Sequence, residues 1–105
     1  MRFHDLEHTL SVVRTAVGIA EALKLEPRDI ALLEVAALFH DTGYALAYEG
    51  HEEKSAELAE MFLLKHGVAK RDIARVRSLI LATRMGHAPR SLLQQVLRDA
   101  DSSKA

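Results

Sequence analysis

Apolar residues recur along this chain at the spacing of a helix, and no stretch alternates as a strand would. From Leu6 to Leu25 the series Leu6, Leu10, Val13, Val17 and Ala20 advances by threes and fours. Val12, Ala16, Ile19 and Leu23 widen that face. Asp5 suits its start as an N-cap or first-turn acid. Lys24–Pro27 breaks the pattern, and Pro27 fits the first position of a second helix running to about His40. Between Ile30 and Phe39 the only charge is Glu34. That helix is apolar on nearly all sides, so it is predicted to be the central and most enclosed one, with Gly43 ending it. A third helix begins at His51, where Glu52 and Glu53 complement its positive end. Ala56, Leu58, Ala59, Phe62 and Leu63 form its apolar face, and Gly67 is its expected stop. Asp72–Thr83 reads as a fourth helix, with Ile73, Val76, Leu79, Ile80 and Ala82 turned inward. After the loop Arg84–Ala88, Pro89 opens a fifth, striped by Leu92, Leu93, Val96, Leu97 and Ala100. The expected fold class is all-α, a compact bundle of about five helices.

Composition narrows the class. At 105 residues the chain is expected to form one domain, 1–105. Cysteine is absent, which excludes disulfides, thiolate metal sites and a cysteine nucleophile. A net charge of −1, with acids and bases mixed along the chain, offers no basic patch for specific nucleic-acid binding. No apolar run approaches the ~20 residues of a membrane span. Arg2, His4, Asp5 and Glu7 interrupt any signal-peptide core. A cytoplasmic protein is expected.

The candidate chemistry sits where the apolar pattern is strongest. Burying a charge costs several kcal/mol unless it is paired or metal-bound. Yet the most apolar helix ends in His40 and Asp41. His8 falls beside the Val12–Ile19 edge of the first helix, with His4 four residues earlier on the same side. On the last helix, Asp101 lies about 80° from Leu93 and Asp99 about 120° on the other side, so Asp101 is nearer the core. Imidazole and carboxylate together suit a divalent first-row metal or Mg²⁺, which can acidify water and polarise a phosphoryl oxygen. Spacing alone leaves the plainer readings open: a helix-terminal histidine paired with its neighbouring aspartate, and half-buried helix histidines.

Five segments, FHDLEHTLSVV, ALFHDTGY, GHEEKSAELA, ILATRMGHAP and LRDAD, span nearly the whole chain. In them the chain resembles the HD superfamily of metal-dependent phosphohydrolases. The resemblance implies His8, His40, Asp41 and Asp101 as ligands of a first metal. In branches with a second metal, His51 and His87 match the additional histidines, and Asp41 would bridge the two. It thus implies one or two divalent ions per chain, drawn from Mn, Fe, Co, Ni, Mg and Zn. Asp41 would be catalytic, and His4 is a candidate to donate a proton to the leaving oxygen, as a comparable histidine does in related cyclic-nucleotide phosphodiesterases, against the default of a solvated residue. Tyr44 stands where cyclic-dinucleotide phosphodiesterases usually carry lysine, and their longer glycine- and proline-containing signature is lacking. That turns the expectation toward a small phosphorylated substrate, with nucleotides among the candidates. The glutamate that nucleoside-monophosphate phosphatases carry near the HD pair has no match. Lys54, Arg84 and Arg90 are candidates to hold a phosphate, against the default of solvated surface charge. His51-Glu52 is not a metalloprotease motif, since Ser55 stands where the second histidine would be. The expected function is a phosphohydrolase working through metal-activated water. The alternative is an HD-fold regulatory or interaction module that binds metal or nucleotide without turnover. A third possibility is a bundle whose histidines do nothing together. A minimal or truncated version of the domain, and a homo-oligomer, are among the expected states.

Overall fold

Five helices form close to where the pattern places them, and the differences at their ends have local causes. The computed structural model describes residues 3–45, 50–84 and 88–102. The helices are α1 (Phe3–Ala22), α2 (Pro27–Phe39), α3 (His51–Lys65), α4 (Lys70–Leu81) and α5 (Leu92–Ser102), with a 3-10 turn at Thr42–Ala45. No strand occurs among the described residues.

α1 stops at Ala22, short of the expected Leu25, because Lys24 adopts a left-handed φ of 59°. The Lys24 and Leu25 N–H groups then donate back to the carbonyls of Glu21 and Ala20, at 3.0 and 3.1 Å. Gly67, at φ 74°, closes α3 in the same way, with the Val68 N–H bonded to the Leu63 carbonyl at 3.0 Å. The expected stop at Gly43 is corrected. α2 ends earlier, at Phe39, where the Thr42 hydroxyl donates to the Phe39 carbonyl at 2.8 Å. Pro89 likewise precedes α5 rather than opening it. Ser91 Oγ accepts the Gln94 N–H at 3.2 Å, and Gln94 Oε1 accepts the Arg90 N–H at 2.7 Å. Gln94 Nε2 reaches Ser78 Oγ at 3.0 Å and ties α5 to α4.

The core is built from small and branched residues. α1 contributes Val12, Ala16 and Ala20; α2 contributes Leu32, Leu33, Ala36 and Ala37. Ala56, Ala59, Leu63, Ile73, Val76, Leu79, Ile80, Val96, Leu97 and Ala100 complete it. The inward line of α1 is therefore not the leucine stripe: Leu6 and Leu10 are 50% and 41% exposed. On α3, Ser55 joins Ala56, Ala59 and Leu63 inside, whereas Phe62 lies at the surface over Phe39, ring centroids 5.5 Å apart. α2 touches every other described helix, which makes it the central element, and beyond its first turn only the strip Ala31, Glu34 and Leu38 is exposed. Its first turn is pinned to α4 by Arg28–Asp72 at 2.6 Å and Asp29–Arg75 at 2.7 Å. None of the described helices is long and apolar enough to cross a membrane.

Candidate metal centre

Where α2 ends, it delivers His40 and Asp41 into a point approached by α1 and α5. His40 is fully buried. Its Nδ1–H donates to the Ala37 carbonyl at 2.6 Å, which turns Nε2 outward from α2. That Nε2 lies 3.2 Å from Asp41 Oδ2 and 3.4 Å from Asp101 Oδ1. It is buried and forms no hydrogen bond, although two carboxylates stand beside it. His8, from α1, brings its Nε2 to 3.2 Å from Asp101 Oδ1 and 3.9 Å from Asp41 Oδ2. One donor atom from each of these four residues lies within 4.8 Å of the others. Two imidazole nitrogens and two carboxylate oxygens thus converge on one small volume, a donor set that suits a divalent ion. With no metal ion, a proton on His40 is what offsets the two carboxylates.

The electrostatics of His40 and Asp101 carry the same demand for positive charge. Burial alone would lower the His40 pKa, but Asp101 and Asp41 override it and raise it to about 10. Burial pushes the Asp101 carboxyl up, while His40 and His8 outweigh it and hold it below its ordinary range.

A fourth wall comes from α3, and Gly43 sets its approach. The Gly43 N–H donates to Ser55 Oγ at 2.8 Å. A Cβ at Gly43 would collide with the His51 carbonyl and stand 2.7 Å from both Lys54 Cβ and the Ser55 nitrogen. The 3-10 turn therefore lies directly on the first turn of α3. This brings His51 Nε2 to 3.6 Å from Asp41 Oδ1. Asp41 divides its carboxylate, with Oδ2 toward His40 and His8 and Oδ1 toward His51. Glu52 Oε2 lies 3.4 Å from the same His51 nitrogen.

The family model of the HD domain matches residues 5–105. The chain belongs to the HD-domain family. This HD domain is also similar to the crystal structure, at 1.45 Å resolution, of a predicted HD superfamily hydrolase from an uncultured Thermotogales bacterium. The two are 32% identical with a TM-score of 0.76, over 92% of this chain and 54% of the other. The HD domain described here thus spans about half the length of that protein. No curated protein matches the chain.

Of the residues singled out in the sequence, His8, His40, Asp41 and Asp101 come together, and His51 stands beside them. Asp99 faces solvent and accepts a hydrogen bond from Gln95 at 2.8 Å. The side chains of His4, Tyr44 and His87 lie outside the described residues. Lys54 pairs with Glu57 at 3.6 Å and Arg84 with Glu53 at 3.3 Å, both as surface charges. Arg90 is exposed. A cavity of about 550 Å³ between α4 and the start of α5, lined by Leu25, Arg71, Leu79 and Leu92 among others, contains none of the donor set. Glu52 and the Gly43–Ser55 contact were not anticipated from the sequence. The visible signals were a glycine two residues after Asp41 and a serine in register with the buried face of α3.

Proposed function

We propose that this HD domain is a metal-dependent phosphohydrolase, acting on a small phosphate ester with nucleotides among its candidate substrates. The observation that carries this reading is the buried, unpartnered His40 Nε2 set among His8, Asp41 and Asp101. These four residues would hold a divalent ion, whose chemistry when bound is Lewis acidity toward a phosphoryl oxygen and a lowered water pKa. The Ala37 carbonyl keeps the His40 ring in its ligating orientation. Asp41 Oδ1 accepts the proton lost by the attacking water as the new P–O bond forms. The ester P–O bond breaks, and His4, one helical turn before His8, returns a proton to the leaving oxygen. The products are phosphate and an alcohol.

The test is hydrolysis of a panel of phosphomonoesters and nucleotides by protein loaded with Mn²⁺, Co²⁺ or Mg²⁺. His40→Ala and Asp41→Ala are expected to lose the activity, by about a hundredfold or more, with helical circular dichroism retained. A loaded site with no turnover on any phosphoester overturns the enzymatic reading in favour of a regulatory module.

A further inference from the structure

The cavity between α4 and the start of α5 combines an apolar wall with an unbalanced charge. Its volume of about 550 Å³ falls within the roughly 300–1,000 Å³ of small-molecule pockets. Leu25, Leu79, Leu92 and Leu93 give it hydrocarbon surface. Leu92 is 54% exposed, so part of that surface is left to water. The charge on the wall is positive. Asp29 is the one acid among its described residues, and it is already bound to Arg75 at 2.7 Å. Arg71, on the same wall, is in no ion pair among the described residues, since the neighbouring Asp72 accepts from Arg28 at 2.6 Å. An adjoining recess of about 360 Å³ shares Ala74, Ser78 and Gln94 and repeats the imbalance. There Arg77 is paired with Glu60 at 2.8 Å, while Arg90 is in no ion pair among the described residues.

We propose that this cavity is a binding site for a small amphipathic anion. Its apolar body would lie on Leu25, Leu79 and Leu92, and its carboxylate, sulfonate or phosphate would meet Arg71. Guanidinium without a counter-ion beside half-wetted hydrocarbon is the complement of such a molecule. The wall between the two helices is fixed before a ligand arrives. Gln94 is 7% exposed, accepts the Arg90 N–H at 2.7 Å and donates to Ser78 Oγ at 3.0 Å. The site stands apart from the metal centre, because Gln94 precedes Asp101 by seven residues on α5, about 10 Å along the helix. It therefore does not rest on the phosphohydrolase reading.

The experiment titrates the full chain with two fluorescent dyes of similar apolar body. One is the anion 8-anilinonaphthalene-1-sulfonate, and the other is the uncharged N-phenyl-1-naphthylamine. The wild type is expected to bind both saturably. Arg71→Gln removes the guanidinium, and Ala74→Glu sets an acid one turn after it. Each is expected to weaken the sulfonate dye about three- to tenfold and to leave the neutral dye unchanged. Leu92→Ser should weaken both dyes. Arg14→Gln and Leu64→Ser, the matching changes on α1 and α3, should weaken neither. All five positions are exposed, so the variants should keep the fold, checked by circular dichroism. Unchanged affinity for the sulfonate dye in Arg71→Gln overturns the proposal. Equal weakening by Arg14→Gln also overturns it, since the attraction would then be to overall charge. Equal weakening by Leu64→Ser and Leu92→Ser, or no saturable binding, does the same. Each of these outcomes leaves the phosphohydrolase reading standing.

Discussion

His40 is the residue on which the centre turns, and its protonation ties stability to pH. In the ion-free protein its pKa is raised from 6.5 to about 10. The protonated form is thus favoured by folding. Its contribution is fully present below pH 6.5 and is lost as pH rises through about 10. Chelator-treated protein is expected to lose stability over that window in denaturant titrations, and Asp101→Asn should flatten the decline. Asp101 acts with the opposite sign: its lowered pKa adds stability above 3.8 that is lost as the pH falls further. An ion entering the donor set competes with the proton on His40. Loading at pH 8 should therefore release protons, measurable by calorimetry in buffers of different ionisation enthalpy. His40 and Asp41 stood out in the sequence because ionisable residues at the end of an apolar helix are costly, whereas their grouping with His8 and Asp101 came from the family resemblance, since spacing alone left plainer readings open. The approach of Glu52 to His51 was not legible, because a glutamate in the first turn of a helix already has an ordinary electrostatic use.

Among the elements, the 3-10 turn and the first turn of α3 form a close joint. Gly43→Ala is expected to force them apart, since its Cβ would meet backbone that cannot swing away. We expect a loss of about 1–3 kcal/mol in unfolding experiments. His51 should be displaced from Asp41, detectable as a shifted histidine resonance, with the helices preserved. The periodicity located every helix but misjudged which edge of α1 faces in. Leu6, Leu10, Val12 and Ala16 all belong to one broad apolar arc. The packing of α2 and α5 against α1, which local sequence does not encode, selects the Val12–Ala16–Ala20 line. Gly43 was misread for a related reason. A glycine after an apolar helix resembles a helix stop, and nothing nearby in the sequence reveals that the third helix presses against it.

Across the whole molecule, α2 joins core and chemistry, so damage to one should reach the other. Leu33 and Leu97 are fully buried, and either one changed to Ala should cost about 2–5 kcal/mol. The Leu97 variant should also weaken metal binding, because α5 carries Asp101 one turn further on. The pairing of His8 with Asp101 has a consequence of another kind. These residues meet at 3.2 Å although 93 positions separate them in the chain. An ion gripping both would close that long stretch of chain into a ring, in a sequence with no cysteine for a disulfide. A covalent tie over such a loop is worth about 4–5 kcal/mol of chain entropy. α1 and α5 would both be stapled by the same ion, so metal loading should slow amide exchange in α1 and α5 far more than in α4.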